Sequence, residues 1–402
     1  MSNSVFHTEG YKLPPIDLIN RDESPICTDD FMKEHIAQVF KAYGIKVRKV
    51  KATVGPTVSF YEVTPGLGIN YNRILRNDKN ISITLGYQSL RFIVPIPRKN
   101  SIGIEIPNKK VTTMPLGAIF YSEEFQETDM QLPCAIGKTV RNEIFMFDLA
   151  KERHIIIAGD TRQEKTNCLN AIMCSLLYKK KPSELQFVLI DPMNELDIYS
   201  PISKHFLAKM PNEKNIIVKD NAHCLRVLQS LRFLTDSRYK KLKEANVKSI
   251  IEYNQKFPEQ PMPYIVTVIG ELRDFMLKVG LDFHLLLANT ASYSWHVGIH
   301  FIICTNVPVP KILTGFIKVN FPARIAFRTS EKWDSYEILD GYGAEHLIGK
   351  GDMLSNINTN IDTENLLRVQ SAFIEKYELR DVVSFIAEQE GRVQYELPSI
   401  DD

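Results

Sequence analysis

Hydrophobic positions along the chain change their spacing twice, and those changes divide it. Residues 1–28 are polar and interrupted by Leu13-Pro14-Pro15 and Ser24-Pro25, so they are expected to form an arm or linker. Met32, Ile36, Val39 and Phe40 then recur at helical spacing, which predicts a helix from about Asp29 to Tyr43. Val47–Val54 and Thr57–Val63 are β-prone runs around Gly55-Pro56, the pattern of two strands joined by a turn. A helix near Ile74–Leu85 and strands at Arg91–Ile96 and Ile102–Ile106 complete a small α+β domain, residues 29–110.

A connector over residues 111–152 carries the strand-like runs Leu132–Ile136 and Glu143–Asp148. From Arg153 onward, apolar strands alternate with helical lengths. Ile155–Ala158 precedes a helix at about Lys165–Tyr178; Phe187–Ile190 ends in Asp191; Ile216–Val218 is short; Leu225–Glu252 reads as one or two helices. Tyr264–Ile269, His300–Thr305 and Ala323–Phe327 follow. Continuous Val/Ile/Leu strands between helices predict an α/β fold over residues 153–392, its mainly parallel sheet covered on both faces. Residues 393–402 remain as a tail. Ligands of such sheets sit beyond the carboxyl ends of the strands, where Gly159, Gly270 and Asn306 fall.

Composition narrows this only slightly. The 402 residues are 44% hydrophobic and 24% charged, ordinary for a globular chain, with a formal charge of +1. Nucleic-acid contact would therefore need a local patch, or a patch repeated around an oligomer. Six cysteines, at 27, 134, 168, 174, 224 and 304, lack metal-ligand spacing and read as buried thiols of a reducing compartment. No apolar run reaches the roughly 18–20 residues that span a bilayer, and the start lacks a signal-peptide pattern. The expectation is a cytoplasmic chain without membrane contact, or a soluble part of something larger.

The chemistry concentrates after the strand Ile155–Ala158. Gly159-Asp160-Thr161-Arg162-Gln163-Glu164-Lys165-Thr166 has the spacing of the phosphate loop G-x-x-x-x-G-K-[ST], with Glu164 in place of the second glycine. Lys165 could approach β- and γ-phosphates, and Thr166 could offer Mg2+ an oxygen. Glu164 would add a side chain and a negative charge beside those phosphates.

Further motifs are Gly103-Ile104-Glu105-Ile106-Pro107, Phe147-Asp148-Leu149-Ala150-Lys151, Phe187-Val188-Leu189-Ile190-Asp191-Pro192, Gly298-Ile299-His300 and Gly349-Lys350-Gly351-Asp352-Met353-Leu354. Together they resemble the FtsK/SpoIIIE family of double-stranded DNA translocases. The resemblance extends from roughly Asp29 to Glu390. It implies a small α+β domain on a RecA-like P-loop domain with a mainly parallel sheet, usually assembled as a hexameric ring around duplex DNA. The family's membrane-spanning and winged-helix regions find no counterpart here.

Against the family loop G-x-T-G-x-G-K-S, Gly159, Thr161, Lys165 and Thr166 match, whereas Arg162 and Glu164 take glycine positions. The acidic pair after the Walker B strand becomes Gly270-Glu271, which leaves Glu271 as a vestigial base. Thr-Gln-Arg-Pro becomes Thr305-Asn306-Val307-Pro308, with Asn306 at the sensor position. Three family arginines correspond to Asn289, Trp295 and Tyr336. Phosphate cradle, metal support, γ-phosphate sensing and activation in trans are altered together, so ATP and Mg2+ are implied by the family while the substitutions argue against their use.

Three functions follow. The leading one is a homologue with little or no ATP hydrolysis that remains a scaffold, binds duplex DNA or a protein partner, and forms a homo-oligomer or joins an active relative. The second is a working translocase in which Asp274, Asp191 or Glu271 supplies the missing acid. The third is an interaction module that never meets DNA. Lys311 and Lys318 flank the segment the family places toward its DNA channel, and Arg238–Lys243 with Lys248 offers a basic helix face that is equally well a solvated one. His296 and His300 lack an acidic partner at metal-site spacing, and His205 and His284 read as packing or surface residues.

Overall fold

The computed structural model describes residues 10–22, 30–88, 90–96, 99–211, 213, 215–306, 308–357, 366–391 and 395–400; Cys27 and Val307 lie outside these. Two sheets organise the chain. The smaller is antiparallel, in the order β1-β2-β4-β3, from β1 (Val47–Val54), β2 (Val58–Pro65), β3 (Arg91–Ile93) and β4 (Ile102–Pro107). β1 and β2 form the expected hairpin, and the helix Asp30–Ala42 closes one face with Met32, Ile36, Val39 and Phe40 buried. The single helix expected over 74–85 is two, Tyr71–Leu75 and Asp78–Thr84.

The larger sheet comprises β5 (Met114–Pro115), β6 (Pro133–Thr139), β7 (Ile144–Asp148), β8 (Ile155–Ala158), β9 (Leu185–Ile190), β10 (Tyr264–Ile269), β11 (Ile299–Thr305), β12 (Ala323–Phe327), β13 (Asp352–Ser355) and β14 (Leu367–Phe373). Its order is β7-β6-β14-β13-β12-β8-β11-β10-β9, with β5 beside β14. β9, β10, β11, β8 and β12 are parallel, and their uninterrupted burial matches the apolar runs that predicted them. The sheet is mixed, however: β12-β13-β14-β6-β7 run antiparallel. Ile216–Val218 adds no strand; Val218 only bridges Ile190.

The segments expected as free ends are packed down. Tyr11 and Ile19 are buried in the larger core, Tyr11 edge-on to Phe206 at 5.8 Å, and Tyr178 Oη donates to Pro15 O at 3.1 Å. Leu397 is 1% exposed and its amide bonds Lys209 O. Apolar side chains spaced along both segments give each a reason to leave water. Among the described residues, no helix is long and apolar enough to cross a membrane.

Candidate nucleotide site

β8 runs into Gly159, which stands at φ 149° and where a Cβ would lie 2.7 Å from Phe327 Cβ, so the position calls for glycine. After Asp160 and Thr161 the chain is already helical, in the helix Arg162–Lys179. The helix begins one turn earlier than its apolar pattern indicated. Glycine disfavours helix by about 1 kcal/mol relative to good helix formers, and here Arg162 and Glu164 replace two glycines. Residues that would wrap a phosphate chain are instead a helical turn. Lys165 Nζ closes what remains, donating to Gly159 O at 2.5 Å and Thr161 O at 3.1 Å. Burial depresses the pKa of that ammonium, against the opposing pull of Cys304, Glu271, Glu195 and Asp160.

Glu164 does not stand beside the phosphate position. Its carboxylate turns away into the protein and accepts from Gly351 N at 2.8 Å, with the side chain buried. Thr161-x-x-Glu164 has capping-box spacing, yet the box is not formed: Thr161 makes no side-chain cap, and the Glu164 carboxylate is bonded to Gly351 N.

Arg162, Lys165, Thr166, Met193, Glu195, Gly270, Glu271, Cys304 and Asn306 line one cleft of about 330 Å3, open solvent included. The strand ends named from the sequence meet here, and most polar groups among them have a protein partner, the exception being Asn306 Oδ1, which is buried with none among the described residues. Thr166 Oγ1 donates to Glu195 Oε2 at 2.6 Å, and Glu195 pairs with Arg162 at 2.9 Å. Glu271 Oε1 accepts from Thr305 Oγ1 at 3.0 Å and Arg273 N at 3.1 Å. Its Oε2 accepts from Asn306 Nδ2 at 2.7 Å and Asn306 N at 3.1 Å.

The acids considered as substitutes at Gly270 are not free either. Asp191 caps the turn after β9 by accepting from Met193 N and Leu196 N at 3.0 and 2.7 Å. A Cβ on Gly270 would lie 3.3 Å from Asp191 Oδ1, so an acid there would crowd a second carboxylate against the first. Asp274 lies outside the cleft lining and pairs with Lys278 at 3.1 Å. In this arrangement Lys165, Thr166 and Glu271, which would meet Mg2+ and a triphosphate, are bonded to protein groups instead. Glu195 was missed in the sequence because it lies in the polar stretch after Asp191, where nothing in its spacing marked it.

The positions of the family arginines lie apart from this cleft's lining. Asn289 is exposed on the helix Leu281–Ser294. Trp295 is half-buried, stacked on His296, with the Arg153 guanidinium 4.3 Å from its ring centre. Tyr336 is exposed and stacks on Tyr342 at 5.3 Å, with Trp333 and Lys332 completing an aromatic surface. Lys311 is exposed, but Lys318 is not available to DNA phosphates: it pairs with Asp340 at 2.5 Å and is 16% exposed. On the basic helix, Arg238 is buried and donates to Val297 O at 2.9 Å, leaving Lys240, Lys241, Lys243 and Lys248 at the surface. No group of His, Cys, Asp and Glu suited to a metal occurs among the described residues.

The FtsK/SpoIIIE family matches residues 115–312, and the FtsK alpha domain matches residues 13–108. The DNA translocase FtsK of Chlorobaculum tepidum is 37% identical over 388 residues, covering 94% of this chain and 48% of that protein. That of Clostridium tetani is 34% identical over 414 residues, covering 100% of this chain and 54% of its own length. The chain thus spans about half the length of the curated relatives it matches. Among solved structures, the pCW3 conjugation coupling protein TcpA, in its monomer form with ATPγS, is similar with a TM-score of 0.60 at 18% identity, over 89% of this chain and 99% of that one. The cytoplasmic domain of the Thermomonospora curvata type VII secretion ATPase EccC gives 0.56 at 19% identity, over 67% of this chain and 32% of that one. At those identities the likeness establishes a P-loop ATPase fold.

Proposed function

The chain belongs to the FtsK/SpoIIIE family, and from that premise we propose that it has lost most or all ATP hydrolysis and serves as a scaffold that binds DNA or a protein partner. One observation carries the reading: the phosphate loop is reduced to Gly159-Asp160-Thr161, and Lys165 is spent on the carbonyls of Gly159 and Thr161. Phosphoryl transfer depends on positioning and on neutralising charge, and a misplacement of about 1 Å can cost roughly 10²-fold. Glu271 and Thr166, whose polar atoms bond protein partners, support the same conclusion.

Steady-state ATP turnover of the 402-residue chain, with and without duplex DNA, tests it. The expected rate is at background, unchanged by DNA and unchanged in Lys165→Ala. DNA-stimulated hydrolysis that disappears in Lys165→Ala would sink the proposal.

A working translocase is favoured by one feature only, the Glu195 carboxylate 2.6 Å from Thr166 Oγ1, next to where a metal's water shell would lie. DNA-dependent turnover abolished by Glu195→Ala would support that reading. For DNA itself, Lys311 and the surface lysines of the helix Asn221–Glu244 are the remaining candidates for phosphate contact, and the pairing of Lys318 with Asp340 counts against a strong channel site. Salt-dependent duplex binding distinguishes a DNA-associated scaffold from a module that binds only protein.

A further inference from the structure

A hydrogen-bonded path leaves the phosphate-loop helix and ends in the smaller sheet. Glu164 Oε1 accepts from Gly351 N at 2.8 Å, and Glu164 Oε2 is buried with no partner among the described residues. The turn it grips, Gly349-Lys350-Gly351, has all three residues at positive φ, 78°, 58° and 86°. Such a conformation at a non-glycine residue persists only where its surroundings over-determine it. Gln370 supplies part of that restraint: its Nε2 donates to Lys350 O at 2.8 Å, and a Cβ on Gly351 would lie 2.9 Å from the same nitrogen. Gln370 Oε1 in turn accepts from Thr57 Oγ1, in the turn between β1 and β2.

Two residues earlier on the same face of β14, Arg368 extends the restraint. It donates to Asp352 Oδ1 at 2.9 Å and to Glu105 Oε2 at 2.7 Å, and Glu105 Oε1 takes Arg91 Nη1 at 2.9 Å. Arg368, Asp352 and Glu105 are 3%, 1% and 1% exposed, so this seam between the sheets is fully withdrawn from water. Burial works against the charge of Arg368, but Asp352 and Glu105 outweigh it and raise the guanidinium pKa.

We propose that Glu164 ties the phosphate loop to the seam, so that the loop opens only when the 349–351 turn, and with it the hold on the smaller sheet, is released. The inference rests on the reading of the loop as closed by its own helix. Opening it would unwind residues 162–164 and draw the Glu164 carboxylate off Gly351 N. Because coupling is reciprocal, loosening the turn from the Gln370 side also loosens the loop. A position where the resembling family loop has glycine would thus act as an autoinhibitory strut.

Hydrogen exchange on the whole chain tests this without any nucleotide, so its outcome is separable from that of the turnover assay. Glu164→Ala is expected to speed exchange of the 351–355 and 57–61 segments about tenfold, the effect of losing roughly one hydrogen bond. Glu164→Gln keeps an acceptor for Gly351 N and is expected to stay near wild type. Gln370→Ala is expected to speed the amides of Lys165 and Thr166, which bond the first carbonyls of the helix, with 265–269 of β10 unchanged. Acceleration confined to 351–355 in Glu164→Ala, or none at 165–166 in Gln370→Ala, overturns the proposal. Should Glu164→Ala fail to fold, the Gln370→Ala result alone decides, with acceleration at 165–166 sustaining the coupling and its absence refuting it.

Discussion

In the strand-end cleft, Arg162 pairs with Glu195 at 2.9 Å while its side chain is 52% exposed; in the seam between the sheets, Arg368 pairs with Asp352 at 2.5 Å and is 3% exposed. Charge meets charge throughout the seam, whereas in the cleft only Arg162 and Glu195 pair and Lys165 and Glu271 bond to neutral groups, so the bonds have different consequences. In the seam, no member can be removed without stranding a buried charge, so the network specifies how the sheets meet. In the cleft, the Arg162–Glu195 pair is partly solvated and contributes little to stability. The other bonds there fall on Lys165, Thr166 and Glu271, the lysine, hydroxyl and carboxylate that phosphate chemistry would use. Bonds within the protein hold the fold in one place and, on the proposed reading, silence a site in the other.

The largest expected effect lies in the seam. Arg368→Met should destabilise the chain by about 3–5 kcal/mol in urea unfolding, whereas Arg162→Ala should change stability by less than about 1 kcal/mol. Equal effects would erase the distinction between the two regions.

Acid gives a smaller effect that belongs to neither region, and it must be kept apart from them. Burial pushes His154 down to about 3 and His300 down to about 4, with His300 adding to the effect on His154. Both rings stay neutral in the folded chain, while the unfolded chain protonates them below about pH 6.5. The unfolded state then binds more protons, so stability is fully present above that pH and is lost as pH falls toward the folded values. Unfolding free energy should drop on the order of 3 kcal/mol between pH 7 and pH 5. A flat profile would mean that the rings are not held neutral. Comparisons of seam and cleft variants are cleanest above pH 7.

The legible parts of the sequence were those governed by local pattern. β8 to β12 announced themselves because both faces are covered and the apolar run is unbroken. β14 did not, since Arg368 and Gln370 face the polar seam and interrupt the pattern that marks a buried strand, and β13 is only Asp352–Ser355, polar at both ends. The loop substitutions were visible as residue types, and Lys165, Thr166, Gly270, Glu271 and Asn306 do meet at one cleft. The direction of Glu164 was not visible: it depends on a turn 187 residues away. Its spacing from Thr161 did carry a helix-start signal that points to the early first turn. Lys318 was equally hidden, because its partner Asp340 comes from the far end of another helix.

The central claim, that the loop cannot grip a triphosphate, is tested most directly by calorimetric titration of MgATP into the wild-type chain and into the double variant Arg162→Gly, Glu164→Gly. The account predicts no saturable binding tighter than about 1 mM by wild type, and binding that emerges once both glycines are restored. Micromolar binding by wild type, unaltered in the double variant, would contradict it.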